Sequence, residues 1–191
     1  NAVKNVICCM LQLNFQPFPT IQTERLLLRA VLKKDAAAMF GLRSNTEVLR
    51  YIGKAPMKSL SEAKKLIETI LNNQFENDAI MWAIALKENP GQKIGNICYW
   101  RIDKPHFRAE LGYILHPAHW NKGIMNEAIK PVIDYGFNSM KLHSIEANID
   151  PGNSASEALL KKNGFIKEGH IRENYFFDGK FLDTVIFSRL R

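Results

Sequence analysis

Apolar residues recur along the chain with two periods, which together predict a series of strands and helices. The strand-like stretches are short, rich in β-branched or aromatic residues, and bounded by turn residues. They cover residues 25–31, 81–86, 93–100, 109–115, 144–149, 171–177 and 180–187. Helical spacing predicts helices that follow Asp35, begin at Ser61, run from Gly123 to about Asn138, and begin at Asn153 or Ser154.

Turn residues indicate how these elements connect. Asn89-Pro90-Gly91 and Asp178-Gly179 each separate two strands and predict hairpins. A helix, by contrast, separates strands 109–115 and 144–149, so these two strands should be parallel neighbours joined by a crossover. The connections predict an α/β (α+β) domain with a mixed, mostly antiparallel sheet of six or seven strands and about four helices. A cofactor would bind beyond the carboxyl ends of the parallel pair.

The turn that opens the crossover helix carries the clearest chemical signal. Trp120-Asn121-Lys122-Gly123 stands before the first turn of that helix, where unpaired N–H groups carry a partial positive charge. Glycine permits close backbone approach and Lys122 adds a full charge, so this turn would hold a phosphate. The alternative is an ordinary strand-to-helix connection that contains a glycine.

Composition narrows the class of protein. The 191 residues, 46% of them hydrophobic and 24% charged, fit one soluble globular domain. The formal net charge of +7 favours anionic partners, such as nucleic acid, a polyphosphate cofactor or an acidic protein. The basic residues form no long block, so direct nucleic-acid binding is not expected. Cys8, Cys9 and Cys98 lack metal-ligand spacing, which predicts no metal site and favours a reducing cytoplasm.

The first twenty residues differ from the rest. We expect residues 1–20 to form a loosely attached N-terminal extension and residues 21–191 to form the domain. The apolar stretch 6–13 is faintly like a signal peptide, but no small-residue cleavage site follows it. Asn1-Ala2 is interpreted as a remnant of expression. No apolar run approaches the roughly 20 residues that span a bilayer, so no membrane association is expected.

Four segments together resemble a known superfamily. They are the strands 23–29 and 109–115, the turn and helix start 120–128, and the late helix with its cap, 153–165. In this order and spacing the chain resembles the GCN5-related N-acetyltransferase (GNAT) superfamily, and within it the RimJ and RimL ribosomal-protein N-terminal acetyltransferases. The resemblance covers about residues 21–191. It implies the GNAT fold and transfer of an acetyl group from acetyl-CoA to a primary amine by direct attack.

The resemblance also implies which residues bind acetyl-CoA. The backbone N–H groups that would hold its pyrophosphate are those of Lys122, Gly123, Ile124, Met125 and Asn126. The residues along which its pantetheine arm would pair, like an added strand, are Tyr113, Ile114 and Leu115. The Leu115 N–H would face the thioester oxygen, and Asn153 would lie beside the arm. Trp120, Asn121 and Met125 depart from the usual pyrophosphate pattern, although the family's contacts come from backbone groups.

Three residues are candidates for the chemistry. Glu110 is the first choice for the base that takes a proton from the amine, its alternative being an exposed strand residue. Ser156 would protonate the departing thiolate, since Leu160 stands where many members have a tyrosine. The alternative for both Asn153 and Ser156 is that they only cap the helix. Tyr175 occupies the position of a glutamate implicated in RimL-like enzymes, and Glu173 is expected on the same face of its strand.

The acceptor is the least determined part. Resemblance implies a protein N-terminal α-amine, as on a ribosomal protein. A small amine, such as an amino acid, a polyamine or an antibiotic, is the alternative within enzymes. A non-catalytic domain that binds acyl-CoA as a sensor or interaction module is a further alternative. Either a monomer or a homodimer is expected.

Overall fold

The computed structural model describes residues 10–191 and shows a mixed sheet with helices on both faces. The strands are β1 (Ile21–Gln22), β2 (Leu26–Ala30), β3 (Ile80–Leu86), β4 (Asn89–Asp103), β5 (Arg108–Leu115), β6 (Ser144–Ile149), β7 (Ile166–Phe177) and β8 (Lys180–Leu190). The helices are α1 (Ala36–Ser44), α2 (Thr46–Leu49), α3 (Leu60–Phe75), α4 (Ile124–Asn138) and α5 (Ser154–Lys162). Short 3₁₀ turns occupy Lys33–Asp35 and Pro117–His119.

The strand order is β1-β2-β3-β4-β5-β6-β8-β7. Within residues 10–191, β5 and β6 form the one parallel pair, and α4 is the crossover between them. The predicted fold class is therefore confirmed: the sheet is mixed and mostly antiparallel, with eight strands and the expected central crossover.

The parallel pair separates partway along its length. Arg108, Ala109 and Glu110 lie opposite Ser144, Ile145 and Glu146, and the pairing ends there although both strands continue. Beyond that point β5 stays paired with β4 as far as Leu115, and β6 stays paired with β8 as far as Ile149. A gap therefore opens in the middle of the sheet, at the carboxyl ends of its two parallel strands.

Each face of the sheet has its own core. On one face, α4 and α5 pack on Trp82, Tyr99 and Leu111 in the larger hydrophobic cluster. On the other, α1 and α3 pack on Val31 and Ala83. Alternation of side chains along the strands produces this division, as Trp82 and Ala83 show by entering opposite cores.

The expected loose attachment of the N-terminal extension is wrong for residues 10–20. Leu11 and Phe15 are buried in the larger core. The Phe15 N–H donates to Asn77 Oδ1 at 2.8 Å, and the Trp82 indole N–H donates to the Pro19 carbonyl at 2.7 Å. Apolar side chains in this segment thus cover the sheet. The expectations for Asn1-Ala2, Cys8 and Cys9 lie outside the described residues.

One predicted hairpin turn is displaced and the other is confirmed. The turn between β3 and β4 falls at Lys87-Glu88, because Leu86 pairs with Asn89 and the strand continues through Pro90 with irregular register. Asp178 and Gly179 form the turn between β7 and β8 with φ of 49° and 76°, the left-handed conformation that Asp-Gly turns adopt.

Candidate active site

The turn before α4 is built to present backbone N–H groups. Gly123 is the N-cap residue of α4 with φ of 73°, and Asn121 has φ of 57°. The first intrahelical bond joins the Glu127 N–H to the Gly123 carbonyl at 3.0 Å. The N–H groups of Ile124, Met125 and Asn126 precede that bond, so they are oriented outward at the positive end of the helix. This geometry suits an anion such as a pyrophosphate.

An ion pair between Arg25, just before β2, and Glu127, in the first turn of α4, stabilises this turn. The Arg25 Nε atom lies 2.7 Å from Glu127 Oε2, and Arg25 Nη1 donates to the Lys122 carbonyl at 3.1 Å. The Thr23 hydroxyl and the Arg25 N–H both donate to Glu127 Oε1. Although burial alone would raise the pKa of Glu127, these bonds lower it. Since Lys122 C=O and Gly123 N–H share one peptide group, the Arg25 side chain also fixes the direction of the Gly123 N–H.

The gap between β5 and β6 exposes a row of donors on β5. The His116 N–H donates to the Ile94 carbonyl at 2.9 Å, on the β4 side. N–H direction alternates along a strand, so the N–H groups of Tyr113 and Leu115 are oriented away from β4, toward the gap. The Leu115 carbonyl accepts a bond from the Trp120 indole at 2.8 Å, which ties the turn to the end of β5.

A cavity of about 860 Å³ adjoins the gap on the face that carries α1 and α3. Glu110, Ser156 and Tyr175 all line it, together with Asn153 and Tyr113. The three side chains chosen for the chemistry come from β5, α5 and β7, and the fold brings them to one space. The residues of the Lys122–Gly123 turn are outside the lining of this cavity.

Glu110 is buried in the cavity wall, so the alternative of an exposed strand residue is wrong. Its side chain is 10% exposed, and Glu110 Oε2 lies 3.1 Å from Arg101 Nη1. Burial raises the pKa of this carboxyl, with Glu146 adding to the rise while Arg101 and Asn148 oppose it. A carboxylate with a raised pKa beside a cavity is suited to accept a proton near neutral pH.

Ser156 and Tyr113 form a second polar group at the gap. Asn153 is the N-cap of α5, and its Oδ1 accepts the Ser156 N–H at 3.1 Å, so Asn153 has the expected capping role. This bond uses the backbone of Ser156 and leaves the hydroxyl available. Burial raises the pKa of Tyr113 to about 12, with the nearby Ser156 side chain offsetting part of the rise.

Tyr175 has a structural contact as well as a place in the cavity. Its ring packs against Gly53, which has φ of 61° and leaves no room for a side chain. Burial raises the pKa of Tyr175, and Asp150 adds to the rise. Tyr175 therefore holds the loop after α2 against β7, at the edge of the cavity.

Glu173 does not share a face with Tyr175 as expected. The register of β7 against β8 shifts between Ile171 and Tyr175, and Glu173 has φ of 50°. Its N–H donates to Asp183 Oδ1 at 2.9 Å, and its side chain is outside the cavity lining. The bulge breaks the two-residue period on which the expectation rested.

One charged residue in the cavity wall was not predicted from the sequence. Arg43, in the last turn of α1, lines the cavity beside Cys98. Burial raises the pKa of the Cys98 thiol to about 11, while Arg43 opposes the rise. The signal in the sequence was an arginine in an otherwise apolar helix turn, which does not by itself indicate a site.

Two findings bear on other classes of site. In the part of the chain from residue 10 onward, no group of three or more His, Cys, Asp or Glu side chains is arranged to hold a metal ion. Nor does any helix in that part combine the length and apolar character needed to cross a membrane.

Comparison with known proteins places these features in context. Residues 25–166 match the family model described as an acetyltransferase (GNAT) domain. A Bacillus subtilis protein named as an uncharacterized N-acetyltransferase, YoaA, is 38% identical over 171 residues, which cover 90% of this chain and 96% of the relative.

Two solved structures resemble the chain over most of its length. Spermidine N-acetyltransferase from Vibrio cholerae, in complex with CoA and spermine, superposes with a TM-score of 0.78 at 26% identity, covering 88% of this chain and 96% of that one. Ribosomal-protein-S5-alanine acetyltransferase from Vibrio fischeri superposes with a TM-score of 0.76 at 24% identity, covering 90% and 96%. The second likeness shows the fold alone.

Proposed function

Because the chain belongs to the acetyltransferase (GNAT) family and is an acetyl-CoA-dependent N-acetyltransferase, we propose that its acceptor is the N-terminal α-amine of a protein. The observation that carries this proposal is the way the carboxylates of the cavity are paired. Four carboxylates line it, those of Glu110, Glu146, Asp150 and Asp183. A polyamine carries several positive charges and needs several free carboxylates, whereas a peptide N-terminus brings one.

Three of these carboxylates already have partners from this chain. Glu110 pairs with Arg101, and Glu146 pairs with Arg108. Asp183 contacts His170 Nε2 at 2.7 Å and accepts the Glu173 N–H. Two of the four carboxylates, those of Glu110 and Glu146, are thus compensated by arginines. This leaves less free negative charge than the four carboxylates would provide, which favours a single ammonium group followed by polar peptide groups.

The donor is proposed to bind along the gap. The turn before α4, with the N–H groups of residues 122–126, would hold the pyrophosphate, and the pantetheine arm would lie along β5 as an added strand. The N–H groups of Tyr113 and Leu115 suit this arrangement because alternation orients them toward the gap. Asn153 would border the arm from the side of α5.

Three groups are proposed to act on the reacting atoms. Acetyl-CoA supplies a thioester, which a neutral amine attacks directly. Glu110 would accept the proton that the ammonium group must lose, and its raised pKa suits that role. The Leu115 N–H would donate to the carbonyl oxygen as negative charge develops there. The Ser156 hydroxyl would donate its proton to the departing thiolate, and Tyr175 would border the acceptor.

A polyamine is the second candidate acceptor, favoured by the 26% identity with the spermidine N-acetyltransferase structure. A thiol-release assay with acetyl-CoA separates the two. The panel contains peptides with free N-termini, the same peptides with blocked N-termini, and spermidine. We expect turnover of the free peptides, little turnover of spermidine, and none of the blocked peptides.

The Glu110→Gln variant is the control for chemistry. It should bind CoA like the wild type in a calorimetric titration and lose about 10²-fold in kcat. A higher kcat/KM for spermidine than for every peptide would favour the polyamine. Tight CoA binding without turnover of any amine would instead indicate an acyl-CoA sensor.

A further inference from the structure

Arg43 is a cation without a partner at the acceptor side of the cavity. The helix that carries it is anchored by Met39 and Leu42, which are 0% and 1% exposed. Arg43 Nε is fully buried without a hydrogen-bond partner, and the guanidinium group makes no ion pair or side-chain hydrogen bond with any residue from 10 to 191. Such a group is unfavourable to bury unless an anion compensates it.

A second cation lies in the same part of the cavity. Lys54 lines it, with its Nζ atom 5.9 Å from the centre of the Trp100 ring. Arg43 and Lys54 both act electrostatically on Cys98, as does Glu110. Two cations therefore share the cavity wall with Cys98, and neither pairs with a carboxylate of the described chain.

The register of the sheet gives the spacing along the strand between Glu110 and Cys98, which lines the same cavity as these two cations. Cys98 lies opposite Gly112 on β5, two residues beyond Glu110 on the same face of the strand. Two residues of a strand span about 7 Å. This is the separation between an α-amine and a carboxylate carried by the first or second residue of a peptide.

We propose that Arg43, with Lys54, forms a subsite that binds a carboxylate of the acceptor while the acceptor amine faces Glu110. The inference rests on the proposed function, since it takes Glu110 to mark the amine end of the cavity. A guanidinium group matches a carboxylate through two parallel hydrogen bonds, which gives direction as well as attraction. The carboxylate belongs to an acidic side chain, either of a peptide or of a free acidic amino acid.

Matched acceptors test the subsite. The first arm compares the peptides Ala-Glu-Ala-Ala and Ala-Gln-Ala-Ala, both amidated at the C-terminus, and the second compares free glutamate with free glutamine. The wild type should favour the acidic member of a pair by about ten-fold or more in kcat/KM. Arg43→Gln should bring that ratio close to one, and Arg43→Lys should retain part of it. Lys65→Gln removes an exposed charge outside the cavity and should leave the ratio unchanged.

The outcomes separate this inference from the proposed function. Equal turnover of both peptides by the wild type, or a ratio that survives in Arg43→Gln, overturns the subsite and leaves the peptide acceptor standing. An Arg43-dependent preference for glutamate over glutamine, without turnover of peptides, supports the subsite and overturns the peptide acceptor. Turnover of polyamines alone overturns both. CD melting curves and CoA titration verify that each variant is folded.

Discussion

Replacing the buried Lys93 by methionine should stabilise the fold. Lys93 lies in β4 beneath α1 and is 4% exposed. Its Nζ atom lies 3.2 Å from Asn96 Oδ1 and 3.8 Å from Met39 Sδ, and no carboxylate of the described chain pairs with it. Burial lowers its pKa to about 7, with Arg43 and Arg29 contributing and Asp35 opposing.

The size of the effect follows from this pKa. A fall from 10.5 to about 7 corresponds to about 4 to 5 kcal/mol of unfavourable folding free energy at pH 7. Methionine removes that contribution but leaves Asn96 Oδ1 without its donor, which costs about 1 to 3 kcal/mol. A net gain of about 1 to 4 kcal/mol is expected, which raises Tm by about 2 to 16 °C for a domain of this size.

The pH dependence of stability tests independently whether the buried Lys93 destabilises the fold. Between pH 7 and 10.5 the unfolded chain binds the Lys93 proton and the folded chain does not, so wild-type stability from this group rises with pH across that window. Unfolding by guanidinium chloride at pH 7 and pH 9.5 measures it. At pH 7 the free energy of unfolding of Lys93→Met should be larger than that of the wild type, and its rise with pH should be smaller. Lys65→Met changes an exposed position, so its free energy of unfolding should match the wild type within about 0.5 kcal/mol. A Lys93→Met protein that is less stable at pH 7 and keeps the wild-type slope would refute the reasoning.

The remaining predictions concern activity. Wild-type kcat/KM should rise with pH through the raised pKa of Glu110, and Glu110→Gln should lose this acidic limb; an unchanged pH–rate profile would remove Glu110 as the base. Ser156→Ala should lower kcat about ten-fold or more while leaving the KM for acetyl-CoA near the wild-type value. If the variant and the wild type have equal kcat values, Ser156 has no role in the chemistry. Glu127→Gln should remove the ion pair with Arg25 and raise the KM for acetyl-CoA several-fold with kcat retained, as measured in steady-state kinetics and CoA titration; an unaltered KM would show that the turn holds its shape without the ion pair.

The parts of the fold predicted from the sequence depend on local chemistry. Asp178-Gly179 requires a left-handed turn wherever it stands, and Asn153 caps a helix through an oxygen that reaches only the next few residues. The crossover from β5 through α4 to β6 follows from the order of the elements and the handedness of such connections. Glu110 could be chosen because it begins the strand that leads to the glycine turn.

The parts that were missed depend on contacts between distant segments. Arg25 and Glu127 are 102 positions apart, and no period in the sequence joins them. The bulge that displaces Glu173 arises from the pairing of two long strands, so the two-residue period could not show it. The burial of Leu11 and Phe15 could not be predicted because it depends on the sheet that they cover, which is formed by residues far along the chain.

The structure shows where some of the positive charge of the chain lies. A net charge of +7 favours anionic partners in general, without indicating where they bind. In the fold, Lys122 and the first turn of α4 present positive charge at the end of the sheet gap, and Arg43 with Lys54 present it in the adjoining cavity. The first location suits the phosphates of the donor. We propose that the second binds a carboxylate of the acceptor while Glu110 receives the proton of the amine. Under this proposal, an acceptor with one amine and a nearby carboxylate matches the arginine-paired carboxylates and the unpaired cations of the cavity better than a polyamine does.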